Sequence, residues 1–140
     1  MASGMYNIFK ADILSGHLDL DTAGDTIKVM LLDDSHAFNA AHTTKADVVA
    51  NELAATGGYT AGGATLADQA VTVGATTKWD ATDVEWTAAT FSAWHAVIYD
   101  STVTDNLIAS IDFGGEKAVS AGTFKIQWHV NGIITLATAA

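Results

Sequence analysis

The sequence predicts a mainly β chain, an antiparallel β-sandwich with one short N-terminal α-helix. Three observations carry that expectation. Apolar and polar residues alternate with period two through much of the second half, as in Asp83–Thr87, Leu107–Phe113 and Phe124–Val130. Runs rich in Gly, Asn and Asp separate these stretches and read as turns. The pairs Gly57-Gly58 and Gly62-Gly63 oppose a helix, in which each glycine costs ~1 kcal/mol relative to alanine. The 140 residues match the usual size of one domain, about 100–150 residues. No composition break, linker or internal repeat divides them, so one domain over 1–140 is expected.

In chain order, the first element is an amphipathic helix over residues 5–15. Met5, Phe9 and Ile13 share one face, with Tyr6 and Leu14 beside them. Ser3 is placed to cap it, and Gly16 is a natural stop because glycine adopts the left-handed conformation at low cost. A helix this short must dock on something to persist. After a turn-rich stretch, Thr26–Leu32 reads as a central strand, apolar on nearly both faces. Residues 37–55 are Ala-rich and weakly helical; Thr44 with Asp47 three residues on resembles a helix start, and Val48, Val49 and Leu53 could face a core. Gly57–Leu66 reads as an irregular strand approached closely by another backbone. Gln69–Val73 is a short strand. Val84 and Trp86 point inward, and Trp94–Tyr99 is buried on much of both faces. Asn131-Gly132 lies between two apolar-patterned runs, which predicts a tight hairpin joining Phe124–Val130 to Ile133–Leu136.

Composition narrows the chemistry. The chain has no Cys and no Pro, which excludes disulfides, zinc–thiolate sites and thiol nucleophiles. Six Lys+Arg, all lysines, stand against 16 Asp+Glu for a net charge of −10. Scattered lysines do not neutralise phosphates, so a nucleic-acid partner is not expected. Mean hydropathy is +0.23, yet no apolar run approaches the ~20 residues of a bilayer-spanning helix, and the first residues lack a signal-peptide pattern. An apolar chain with few charges suggests surface hidden in an assembly.

Asp19-Leu20-Asp21-Thr22-Ala23-Gly24-Asp25 resembles the start of a calcium loop. It has Ala23 where an oxygen ligand belongs and Met30 where a bidentate glutamate belongs, so it reads as a solvated acidic turn. His36 and His42 share a loop with Asp33 and Asp34, but nothing in the spacing fixes a metal geometry. His95 and His129 read as partly exposed sheet residues, with a pH-sensitive pair at a subunit contact as the sharper alternative. There is no Gly-x-Ser-x-Gly elbow and no phosphate-loop lysine after the glycine pairs. Of the four tryptophans, Trp86, Trp94 and Trp128 lie on strand positions suited to a core; Trp79, in Lys78-Trp79-Asp80, is expected at the surface. No metal or cofactor is expected.

The order of segments also carries a resemblance. After a short helix come Asp25–Asp33 (DTIKVMLLD), Asn51-Glu52-Leu53, Gly57–Gly63 (GGYTAGG), Leu107–Gly115 (LIASIDFGG) and Gly122–Trp128 (GTFKIQW). This order resembles small virion structural proteins of tailed bacteriophages, described as capsid decoration (cement) proteins or as tail or fibre components. The resemblance implies a non-enzymatic assembly role. The favoured reading is a cement protein on the capsid exterior, made in the bacterial host cytoplasm. It would form a homo-oligomer, with a trimer favoured, and bind the major capsid protein. The expected contact elements are Met5, Tyr6 and Phe9, or the loop Asp33–Thr44 with His36, Phe38 and His42. The alternative is a tail or fibre component, including a host-glycan binder that displays Trp79 and Tyr59.

Overall fold

The computed structural model describes residues 3–139. It is mostly β, with two antiparallel sheets and one short helix near the N-terminus. The elements are β1 (Gly4–Met5), α1 (Asn7–Ser15), β2 (Ile27–Leu32), β3 (Ala64–Thr65), β4 (Ala70–Thr72), β5 (Thr76–Asp80), β6 (Val84–Asp100), β7 (Asn106–Ile126) and β8 (Ile134–Ala137). One sheet runs β1-β7-β6-β2-β3 and the other β4-β5-β8. No helix among the described residues is long and apolar enough to cross a membrane.

The long β6–β7 hairpin forms the spine. Its register runs from Asp100↔Asn106 at the turn to Val84↔Ile126 at the far end, with bulges between Trp86 and Phe91. Apolar alternation creates two cores. Val29, Leu31, Ala96, Ile98, Val84, Trp86 and Ile126 face the space between the sheets. Met30, Leu32, Val97, Tyr99 and Leu107 face the other way and are covered by Tyr6 and Val48. β2 and the second half of β6 are therefore apolar on both faces because both faces are covered. Full burial of each such side chain is worth roughly 1.5–3 kcal/mol.

Several elements differ from expectation. α1 begins at Asn7, with Tyr6 in extended conformation before it; Met5 is in β1, where it pairs with Ala109. Ser3 does not cap the helix, since its Oγ accepts the Asp112 N–H at 2.9 Å. Gly16 does end the helix in the left-handed region, at φ 71°. Leu14 faces solvent at 89% exposure. Residues 37–55 form no α-helix; they make two 3-10 turns, Lys45–Asp47 and Val49–Asn51. The Thr44/Asp47 start is nonetheless real, because the Asp47 carboxylate accepts the N–H groups of Thr43 and Thr44 at 2.8 and 3.1 Å. Of the three residues expected inward there, Val48 is buried, Leu53 is half-buried and Val49 is exposed.

The predicted C-terminal hairpin is the largest correction. Gly132 closes a turn onto the His129 carbonyl at 2.8 Å, but β7 has already ended at Ile126. The chain crosses to the other sheet, where Ile133 N–H donates to the Trp79 carbonyl and β8 pairs with β5. The close backbone approach expected at the glycine pairs is present. A Cβ on Gly57 would strike the Thr90 carbonyl, and one on Gly63 the Val29 carbonyl.

Candidate assembly surface and polar clusters

Three of the expected contact residues are spent inside the fold. Tyr6 is 0% exposed, Phe9 1% and His36 3%. Phe9 packs in the core between the sheets. Tyr6 fills the opposite core, and burial pushes its hydroxyl up to about 12. Phe38 is half-buried and meets the Tyr6 ring edge-on at 5.1 Å. His42 and Met5 are also half-buried. The loop Asp33–Thr44 therefore closes one face of the five-stranded sheet. A short amphipathic segment next to a strand gives no local sign of which side it buries, so the sequence could not separate core from contact here.

The two residues proposed as sugar platforms are also buried, Trp79 and Tyr59 at 3% each. The Tyr59 hydroxyl donates to Glu52 Oε1 at 2.8 Å and accepts the Leu31 N–H at 3.1 Å; burial pushes its pKa up strongly. Trp86 is buried as expected, whereas Trp94 and Trp128 keep part of their surface. The Trp128 indole N–H donates to the Thr82 carbonyl at 3.2 Å.

The histidines pair differently from expectation. His129 is exposed, and its Nδ1 accepts the Asn131 N–H. His95 is buried and meets His36, ring centroids 5.1 Å apart. His36 Nε2 lies 3.0 Å from Ser110 Oγ, and His95 Nδ1 lies 4.0 Å from Asp112 Oδ1. Burial, then the facing His95, lower the His36 pKa to about 4. Ser110 is 2% exposed, so this serine–histidine contact lies almost wholly inside the fold. What joins these residues is the loop folding back across 74 positions, which no local pattern signals.

The acidic turn holds itself together. Asp25 Oδ2 accepts the Asp19 N–H at 2.7 Å, Asp21 Oδ1 accepts the Thr22 N–H, and Gln69 Nε2 donates to the Asp21 and Asp25 carbonyls. Nearby, Asp100 is buried, and desolvation together with the Asp25 carboxyl pushes its pKa up to about 6. No group of three or more His, Asp or Glu among the described residues is arranged to hold a metal ion.

One side of the sandwich is open. On the β2 side, the Leu53 and Asp33 N–H groups bond to Leu31 and Asn51 carbonyls and cover the edge. On the β7 side, β1 covers only Ala109 and Ser110. From Gly114 to Ile126 the outer edge of β7 pairs with no described strand. β8 likewise pairs on one side only. Between β7 and the start of β8 lies a groove of about 920 Å³ lined by Phe113, Phe124, Ile126, Trp128, Ile133 and Ile134. Charge is balanced on this side: Glu116 adjoins Lys117, and Lys125 is ion-paired with Asp83 at 3.2 Å.

No protein-family model, curated protein or solved structure matches this chain.

Proposed function

We propose that this protein is a structural component of a tailed-phage particle, acting as a decoration (cement) protein on the capsid exterior, where it binds the major capsid protein and stabilises the head. The observation that supports this reading best is the open side. An otherwise closed sandwich leaves a long strand edge and an apolar groove unfilled. Strand edges and apolar grooves are adhesive features. A protein that binds only the assembled lattice stabilises it by mass action, and lattice symmetry repeats each modest contact many times. The acidic body would disfavour packaged DNA as a partner. Imaging of purified particles tests the reading. Density on the head at threefold or quasi-threefold positions is the expected result. Density confined to the tail would favour the fibre or tail reading, and absence from particles would overturn both.

A further inference from the structure

We propose that the loop Asp33–Thr44 is an acid-operated flap: neutral His36, seated against His95, latches it over the second core, and protonation of His36 releases it while the β6–β7 spine stays folded. The inference concerns a device within the chain and does not depend on the virion reading.

The latch is a buried cluster made by the loop and the sheet together. On β6, His95 pairs with Leu32 of β2 on one side and with Asp112 of β7 on the other. Ser110 stands two residues before Asp112, on the same face of β7. The loop lays His36 onto this face, its Nε2 3.0 Å from Ser110 Oγ and its ring 5.1 Å from that of His95. Both imidazoles are buried. A protonated imidazole is a donor at both nitrogens. A cation on His36 would sit against a second titratable ring in a site largely shut off from water, where charge is disfavoured.

The groups acting on His36 come from each side of the cluster. His42 and Asp33 belong to the loop itself, His95 to β6 and Asp112 to β7. Leu32, the β2 residue beside His95, is apolar. Burial and the two histidines oppose a proton on His36, whereas the two carboxylates favour one. The first set prevails and lowers its pKa to about 4. As Asp33 is neutralised in acid, the support it gives to a charged His36 fades.

Little else holds the loop. At its ends, Asp33 N–H donates to the Asn51 carbonyl and Leu107 N–H to the Thr43 carbonyl, each at 2.9 Å. Between these anchors, the one backbone bond to another element among the described residues is Asn7 N–H to the Ala40 carbonyl, also 2.9 Å. The N–H groups of Ser35, Ala41 and His42 bond within the loop. Phe38 adds an apolar contact with Tyr6 and lies where a Cβ on Gly4 would strike its ring. Segments tied by so few backbone bonds open at lower free energy than a sheet core. Release of the loop uncovers Tyr6, Met30 and Leu32 of the second core.

Peptide-resolved hydrogen exchange of the full chain between about pH 7 and pH 4, corrected for the intrinsic pH dependence of exchange, tests the flap. Residues 34–42 and the Asn7 N–H report opening, and residues 95–99 report the spine. In wild type, opening is expected to rise at least about tenfold toward acid, with 95–99 still protected. His36→Gln keeps a neutral polar group against Ser110 and is expected to hold the rise below about twofold. His95→Gln removes the facing ring and is expected to reduce the rise. His129→Gln, at an exposed position, is expected to behave as wild type. Three results would overturn the proposal: no rise in wild type, an equal rise in 95–99, or an undiminished rise in His36→Gln. Should His36→Gln not fold, an undiminished rise in His95→Gln overturns it equally.

Discussion

His36 sits where a charge is least welcome. Its ring is buried beside His95, with His42, Asp33 and Asp112 also acting on it. Its pKa in the fold, about 4, lies below the ordinary value near 6.5, so the unfolded chain binds the extra proton. Its contribution is fully present above about pH 6.5 and is lost as pH falls toward 4. Asp100 works in the opposite direction. Its folded pKa, about 6, exceeds the ordinary carboxyl value, so its contribution is present below pH ~4 and lost as pH rises through 6. The two slopes overlap and partly cancel in wild type. Melting curves from pH 4 to 7.5 separate them. Asp100→Asn is expected to raise the melting temperature at pH 7 by several degrees and to steepen the fall toward acid. His36→Gln is expected to flatten that fall. If His36→Gln leaves the acid slope unchanged, the buried-imidazole account is wrong.

Among the elements, the glycine-rich segment makes the sharpest prediction. Gly63 has φ 79° and no room for a Cβ against the Val29 backbone, whereas Gly114 has φ 74° with nothing within 4 Å. Gly63→Ala combines a left-handed penalty of about 1–2 kcal/mol with a backbone collision, and is expected to cost more than about 3 kcal/mol in denaturant unfolding. Gly114→Ala carries only the first cost. Equal losses would show that conformation rather than close approach sets the requirement at Gly63. This close approach was legible in the sequence because paired glycines among apolar residues have few other uses. β2 and the end of β6 were legible as strands apolar on both faces, and Gly16 as a helix stop. The Asn131-Gly132 hairpin was misread because the turn signal is local while strand pairing is not. Ile133 and Ile134 find Trp79 across the sandwich, and that same pairing buries the tryptophan expected at the surface. His36 reaches Ser110 and Tyr59 reaches Glu52 through loops whose direction leaves no trace in periodicity.

At the scale of the whole molecule, one side is unfinished. Three sides of the two sheets are closed by loops, a helix or the acidic turn, and the fourth exposes the β7 edge and an apolar groove. Filling the groove should stabilise the fold. Trp128→Ala is expected to lower the melting temperature only modestly, because that ring is half-buried and its loss removes one indole bond to the Thr82 carbonyl. The most direct measurement for the assembly role is high-resolution imaging of purified phage heads combined with protein copy number per particle. The account predicts many copies, present in a fixed ratio to the major capsid protein, seated on the outer surface at threefold or quasi-threefold positions. Particles that lack the protein altogether, or carry it only on the tail, would contradict it.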